Sequence, residues 1–248
     1  MGSVLLSGLI VMGAMVVEGI TGFGATVFAL PFLTMLMDVR ATVPFLAMFS
    51  LLFGLYVIWR YSSRIQRHIL GSILLFSGLG LPFGMLLFDV LPENILKALL
   101  GIFVMVFAVR SLVDFFSHSE THTSRGQTRL LGRILLFFGG IFHGAFACGG
   151  PLIVFFAAER IHEKTEFRAT MSCVWVVFNT IIILKNILSG GVYTASFMLR
   201  WSACLPFFLL GGCLGNVLHK AVSFKGFTLL SNILLLCAGL SSLIPQII

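Results

Sequence analysis

The chain has 248 residues, of which 58% are hydrophobic and 10% charged, and its mean hydropathy is +1.08. A soluble domain carries about 25% charged residues, so the composition excludes a water-soluble enzyme or binding module. The formal net charge of +7 does not indicate nucleic-acid binding, because the basic residues fall in short loops between apolar segments, as membrane topology requires. The composition therefore predicts an all-α, polytopic protein of the lipid bilayer.

The first apolar segment resembles a secretory signal only in its hydrophobicity. It lacks a basic start, and Glu18 occupies the place where a small-residue cleavage site is expected. These residues are therefore expected to belong to the mature protein.

Six apolar stretches each approach the ~20 residues that a helix needs to cross a bilayer. They are 41–59, 68–88, 94–113, 168–187, 195–218 and 226–246. Two longer apolar regions, 3–37 and 131–159, are interrupted by the glycine-rich strings GITGFG and GAFACGGP. The pieces after these interruptions are too short to span, and glycine lets the backbone leave the helix. Each longer region is therefore predicted to form a broken, re-entrant hairpin.

Loop charges favour this interpretation for the second hairpin. If 131–159 returns to its own side, twelve basic residues lie on one face and four on the other; a single crossing makes the distribution nine against seven. The positive-inside rule favours the first arrangement, with both termini on the non-cytoplasmic side. The twelve are Arg60, Arg64, Arg67, Arg110, Arg125, Arg129, Arg133, Arg160, Lys164, Arg168, Lys220 and Lys225, and the four are Arg40, Lys97, Lys185 and Arg200.

The chain also contains an internal repeat within one membrane transport domain. The string at 19–24 matches 144–149 at an offset of 125 residues, and Gly80-x-x-x-Gly84 matches Gly211-x-x-x-Gly215 at an offset of 131. Repeat 1 is therefore assigned to about 1–116, a polar linker to 117–130 and repeat 2 to about 131–248. Each repeat has a hairpin and three transmembrane helices, and this odd number of crossings makes the repeats inverted, as in many secondary transporters.

These paired strings, the first running from Gly19 to Pro31 and the second from Gly144 to Pro151, resemble the signatures of the TauE/SafE family of sulfite and organosulfonate exporters. The resemblance extends over the whole chain, including its length and repeat layout. It implies a secondary transporter of a bacterial inner (plasma) membrane. The expected substrate is sulfite, a sulfonate or a related sulfur anion, which an ion gradient would drive outward.

The glycine-rich breaks are the predicted substrate site. Half-helices beginning near Ala25 and Pro151 would present free backbone N–H groups and positive dipole ends to an anion, without a buried lysine. The substrate-binding candidates are Thr21, Gly22, Phe23, Gly24, Ala25, Thr26, Cys148, Gly149, Gly150, Pro151 and Asn179. Alternatively, the glycines only permit close helix packing. If they leave room for substrate, Gly24→Leu and Gly149→Leu should fold but not transport.

Glu18 and His143 are ionisable residues that directly precede the first glycine of each string, and they correspond at the 125-residue offset. Ionisable groups at membrane depth are costly and are usually functional. We therefore expect them to carry or gate a coupled proton; the alternative is a structural role for both.

No cofactor or metal is predicted. The pair His118 and His122, with Glu120 between them, lies in a Ser/Thr-rich linker that disfavours a metal site, and the chain contains no P-loop for ATP. Lys185 and Arg200 are expected to extend to an interface, and Asn216 and Asn232 to form interhelical hydrogen bonds.

Three alternatives to a sulfur-anion exporter stay open. The first is an importer, or a carrier of another small anion, on the same fold. The second is a membrane thiol or sulfur-relay enzyme, which would need a reactive Cys148 or Cys173. The third is an assembly factor without transport activity. The sequence is also compatible with a homo-oligomer.

Overall fold

The computed structural model describes residues 2–116 and 129–221, and these ranges form ten α-helices and one short 3₁₀ turn at Ser62–Arg64. The helices are α1 (Gly2–Thr21), α2 (Ala25–Leu33), α3 (Val39–Tyr61), α4 (Arg67–Val90), α5 (Glu93–Phe116), α6 (Arg129–Phe146), α7 (Gly150–Ala158), α8 (Lys164–Ser189), α9 (Ala195–Ala203) and α10 (Leu205–Ala221). Residues 117–128 of the predicted linker, and the predicted last span at 226–246, lie outside the described residues.

Five stretches of the described ranges are long and apolar enough to cross a membrane: α1, α3, α4, α8 and α9–α10. The protein is therefore an all-helical, polytopic membrane protein, as its composition predicts. The faces of α4 show the same environment. Leu79, Phe83 and Leu86 are each more than half exposed on its outer face, whereas Gly80 and Gly84 are buried on the inner one. An apolar outer surface of this kind is suited to lipid.

Two helix breaks lie where the glycine-rich strings predict them. The backbone leaves the helix at 22–24 and again at 147–149, and it resumes at Ala25 and at Gly150, one residue before Pro151. Each following half-helix has nine residues, or about 14 Å at 1.5 Å per residue. Each half-helix also folds back along its predecessor, because Phe28 lies over Gly13 and Ile153 over Gly139.

Helices of the two halves pack against each other in a reciprocal way, α1 along α10 and α6 along α4. Several glycines lie so close to the facing helix that an added Cβ would overlap a backbone carbonyl, and four of these contacts form two matching sets. The contacts are Gly80 with Phe137, Gly84 with Ile141, Gly211 with Met12 and Gly215 with Val16. The two sets are related by the sequence offsets of 131 for the glycines and 125 for the carbonyls. Inverted repeats stay a prediction, which these paired contacts favour.

The predicted span 195–218 is two helices rather than one, because the chain turns at Cys204 between α9 and α10. Pro206 explains the break: proline has no N–H to donate, and its ring clashes with the carbonyl four residues earlier. The Cys204 N–H bonds to the carbonyl of Trp201 at 3.0 Å, which is a tighter, three-residue turn.

Arg168 does not belong to a loop, although its charge was counted there. The helix α8 begins at Lys164, earlier than the apolar pattern indicates, because the Glu163 side chain caps it by accepting from the N–H groups of Thr165 and Glu166. Arg168 thereby enters the second turn of a membrane-spanning helix, and only 4% of its surface is exposed.

Three of the four basic residues that charge counting assigns to the non-cytoplasmic face lie together at one end of the molecule. Arg40 donates to the carbonyls of Asp89 and Leu91, at 3.4 and 3.0 Å. Lys185 forms an ion pair with the Asp89 carboxylate. Its ammonium group therefore has a charged partner within the protein, in addition to the membrane interface expected from the sequence. Arg40 and Arg200 line one cavity at this end.

Candidate functional site

The two breaks meet at a cavity in the middle of the fold, here called the central cavity. Six residues singled out from the sequence line it: Glu18, Gly24, Thr26, His143, Cys148 and Gly150. Four further lining residues were not predicted: Val27, Ser50, Ala147 and Trp175. Gly24 and Thr26 flank the first residue of α2, and Gly150 is the first residue of α7. The N-terminal ends of both half-helices therefore face one space, where their free N–H groups favour a negative charge.

Glu18 is buried in the last turn of α1, with 3% of its surface exposed. The Ser50 hydroxyl of α3 donates to its carboxylate at 3.2 Å, and the backbone N–H of Ala25 is a second donor to the same group. The Glu18 carboxylate thus lies against the N-terminus of α2, where free backbone N–H groups favour a negative charge.

His143 occupies the equivalent place beside the second break, with 2% of its surface exposed. Its Nε2 lies 3.2 Å from the Asn179 side-chain oxygen of α8. An amide oxygen only accepts, so this contact makes Nε2 the donor and Nδ1 the position that gains or loses a proton. Within residues 2–116 and 129–221, Nδ1 has no hydrogen-bond partner. Each half thus has one buried ionisable residue with a polar partner on a neighbouring helix, Glu18 with Ser50 and His143 with Asn179.

Trp175 of α8 connects the two breaks. Its ring stacks on the His143 imidazole, with centroids 5.3 Å apart and planes 9° from parallel. Its indole Nε1 donates to the Gly22 carbonyl at 3.3 Å. One feature of the sequence could have indicated a role for Trp175: it is a large side chain with a hydrogen-bond donor inside an apolar span.

The other candidates lie behind the cavity wall. The Thr21 hydroxyl donates to the carbonyls of Val17 and Phe23, at 2.8 and 2.6 Å, so it stabilises the turn. The Phe23 ring packs edge-on against Phe167. Gly22 is held in the first break, Ala25 and Pro151 belong to the first turns of α2 and α7, and Asn179 supports His143.

Gly149 is required for packing. A Cβ at this position would overlap the Gly139 carbonyl and approach the His143 backbone. Gly149→Leu would therefore force α6 to move, which argues against the expectation that this variant folds and favours the close-packing alternative at this position. Gly24 differs, because an added Cβ would meet only Val17 at 3.7 Å, but its φ of +93° disfavours other residues.

The backbone at Ala147 is strained. Its φ is +51°, in the left-handed region that non-glycine residues rarely adopt. Gly22, its counterpart at the 125-residue offset, has a φ of +82°, so the two breaks use the same kind of turn. Left-handed conformations cost an alanine about 1 kcal/mol or more, and such strain is concentrated at functional sites.

The central cavity is narrow. Its volume is about 20 Å³, which is room for roughly one water molecule. A sulfite ion has four heavy atoms, so the walls would have to move apart to bind it.

A second, open cavity of about 500 Å³ lies at the end of the molecule that contains Arg40 and Arg200. Thr194, Ser196 and Asp38 also line this end cavity. Neither arginine forms an ion pair with a carboxylate of the described ranges, so both charges remain available to attract anions.

No group of three metal-ligating side chains occurs among the residues that the structure describes. Residues 118–122 lie outside them.

The comparisons with known proteins agree with this geometry. A family model described as "Sulfite exporter TauE/SafE" matches residues 6–242. The chain is similar to the probable inner membrane transporter protein TsaS of Comamonas testosteroni, with 27% identity over 178 residues that cover 72% of each chain. No solved structure matches the chain.

Proposed function

The chain belongs to the sulfite exporter TauE/SafE family and is a transmembrane transporter, and we propose that it exports a small sulfur-containing anion, sulfite or a sulfonate, with proton coupling. The observation that carries this proposal is the convergence of two half-helix N-termini, Glu18 and His143 on one buried cavity. The name of the TsaS relative supports a bacterial inner membrane as the location.

The anion would be held by the N-terminal turns of α2 and α7. Their first N–H groups have no partner within the helix, and the dipoles add positive potential where the termini face each other. Thr26 contributes a hydroxyl from α2 and Cys148 a thiol from the second break. A site of this kind binds a tetrahedral or pyramidal oxyanion without a lysine.

Proton coupling would follow from competition at the N-terminus of α2. An ionised Glu18 places its own negative charge beside Ala25 and repels a second anion. A protonated Glu18 is neutral and leaves the remaining donors to the substrate. His143 acts in the same sense, because protonation at Nδ1 adds a donor and a positive charge near the cavity, which also favours the anion. Anion occupancy thereby becomes linked to proton occupancy.

Outward movement of the anion is favoured electrically. When the cytoplasm is electrically negative, moving one negative charge out of the cell releases about 2.3 kcal/mol of free energy per 100 mV of membrane potential. The end cavity, with Arg40 and Arg200, lies at the face that charge counting assigns to the outside. We therefore propose it as the route by which the anion leaves the protein.

The proposal is tested by reconstituting the purified protein in liposomes and measuring uptake and counterflow of sulfite, a sulfonate, sulfate and phosphate. We expect saturable flux of sulfite or the sulfonate that responds to a pH gradient. Flux of phosphate alone would contradict the substrate class, and absence of all flux would favour an assembly factor.

A further inference from the structure

Arg168 is a buried, charged residue that does not line the central cavity. It lies in the second turn of α8 with 4% of its surface exposed. Its Cγ would lie 2.9 Å from a Cβ at Gly22, so its side chain passes directly beside the first break. Removing a guanidinium from water costs several kcal/mol unless a counter-charge is present, and a site that keeps such a charge usually uses it.

The hydrogen-bond and ring partners of Arg168 are neutral. One Nη donates to the Asn216 side-chain oxygen of α10, and the guanidinium lies 5.3 Å from the centre of the Phe53 ring. Its Nε is buried without a hydrogen-bond partner in the described ranges, where no carboxylate lies within ion-pair distance. Glu18 is close enough for electrostatic interaction but does not form an ion pair with it. The charge is therefore held in place and is not neutralised by these residues.

The position of Arg168 relates it to the central cavity. Trp175, which lines that cavity, follows it by seven residues on the same face of α8, about 10 Å along the axis. The Gly22 carbonyl accepts from Trp175 while Gly22 itself contacts Arg168. The guanidinium thus lies one step from the cavity toward the end of α8 where Gln66 bonds to Glu166. Charge counting assigns that arginine-rich end to the cytoplasm.

We propose that Arg168 is an anion-binding residue, which receives the oxyanion between the cytoplasmic end and the central cavity. This inference rests on the proposed function and adds a second binding position to it. A guanidinium offers a planar fork of donors that matches an oxyanion, and the bond to Asn216 orients that fork. The transported anion supplies the missing counter-charge.

The alternative is that Arg168 only joins α1, α8 and α10. Asn216→Asp separates the two roles, because it gives Arg168 a permanent carboxylate with almost no change in shape. A structural clamp would be kept or strengthened by this ion pair, whereas an anion-binding residue would be blocked by it. The matched control is Asn94→Asp, the same substitution at an exposed residue of α5.

Two measurements are made with the full-length protein: the sulfite-dependent shift of Tm in detergent, and the KM for sulfite in liposomes. We expect Asn216→Asp to weaken sulfite binding by about tenfold or more, the effect of one hydrogen bond to a charged group, with Tm unchanged or higher without sulfite. Arg168→Lys, which keeps the charge but loses the fork, should also weaken binding, whereas Asn94→Asp and Arg67→Gln should not.

Unchanged sulfite affinity in Asn216→Asp would overturn the role of Arg168 while leaving the proposed function intact. If Asn216→Asp does not fold, the sulfite affinity of Arg168→Lys is measured instead, and an unchanged affinity there would overturn the role of Arg168. A wild-type protein that neither binds nor transports sulfite or a sulfonate would instead contradict the proposed function itself, and the inference with it.

Discussion

Single residues in this protein are informative because its environment is apolar. Glu18, His143 and Arg168 are each at least 96% buried, yet none forms an ion pair within the described ranges. In a bilayer such groups are expensive. Two of them line the central cavity and the third lies beside the first break.

Proton coupling is tested at Glu18. Glutamine resembles the protonated acid in shape and charge, so Glu18→Gln should leave the site permanently able to accept the anion. We expect flux to lose its response to a pH gradient, while counterflow exchange, which needs no net proton movement, stays within about twofold of wild type. His143→Gln should show the same change less strongly. Unchanged gradient-driven flux in the double variant would assign both residues a structural role.

Substrate contact is tested at Thr26, whose hydroxyl belongs to the first turn of α2 and lines the central cavity. Thr26→Val keeps the shape and removes the donor, so sulfite affinity should fall about tenfold, with little change in Tm. Thr34→Val is the control, because that buried hydroxyl donates to the Pro31 carbonyl and lies outside the cavity. Equal loss of affinity in both variants would contradict a direct role for Thr26.

At the scale of the helix, the position at which α8 begins determines whether Arg168 lies inside the helix or in the preceding loop. Without the Glu163 cap, the helix would begin later, and Arg168 would be nearer to a frayed end. The N–H of Thr165 holds the pKa of Glu163 below its usual value of 4.5, which shows that the bond favours the ionised form.

Glu163→Ala should therefore destabilise the protein by about 1 kcal/mol, the usual effect of losing an N-terminal cap. Because the folded-state pKa is lowered, this stabilisation is present above the unfolded-state pKa and is lost as pH falls through the folded value. The difference in Tm between variant and wild type should thus be clear at pH 7 and disappear well below pH 4. Lys164→Ala, which removes no cap, is the control, and an equal shift there would contradict the assignment.

The whole molecule has two ends with different numbers of basic residues, from which we predict its orientation in the membrane. In a protein without native cysteines, an impermeant thiol reagent outside the cell should label Ser189→Cys but not Lys164→Cys or Arg125→Cys. Ser189 is used because its neighbour Gly190 has a φ of +72°, where cysteine would be strained. Labelling of positions 125 and 164 from opposite faces would contradict the second hairpin and the inverted repeat.

The end cavity should act on the rate at which anions are captured or released. The double variant Arg40→Gln and Arg200→Gln should raise the KM for sulfite about threefold from that face and weaken its dependence on salt, since exposed charges steer anions over a distance. The maximal rate should change little. Lys97→Gln, at a lysine that pairs with Glu93 at 2.7 Å, is the control. A large loss of maximal rate would place the two arginines within the transport site.

Sequence by itself determined the class of protein, the helix breaks and the position of most spans. These features depend on local chemistry: a run of apolar residues must cross lipid, and glycines followed by short apolar pieces interrupt a helix. The repeat also made Glu18 and His143 correspond, because the same string recurs beside each of them.

Only the tertiary structure decided which residues meet. Ser50, Asn179 and Trp175 are far in sequence from the groups that they support, and no periodicity in the chain indicates those contacts. Arg168 looked like a loop residue because hydropathy does not detect a helix cap, and Gly149 looked like space for substrate because its contact with Gly139 exists only after α7 folds back. Side-chain neighbours depend on how helices pack, and packing at close range is set by all the facing surfaces together.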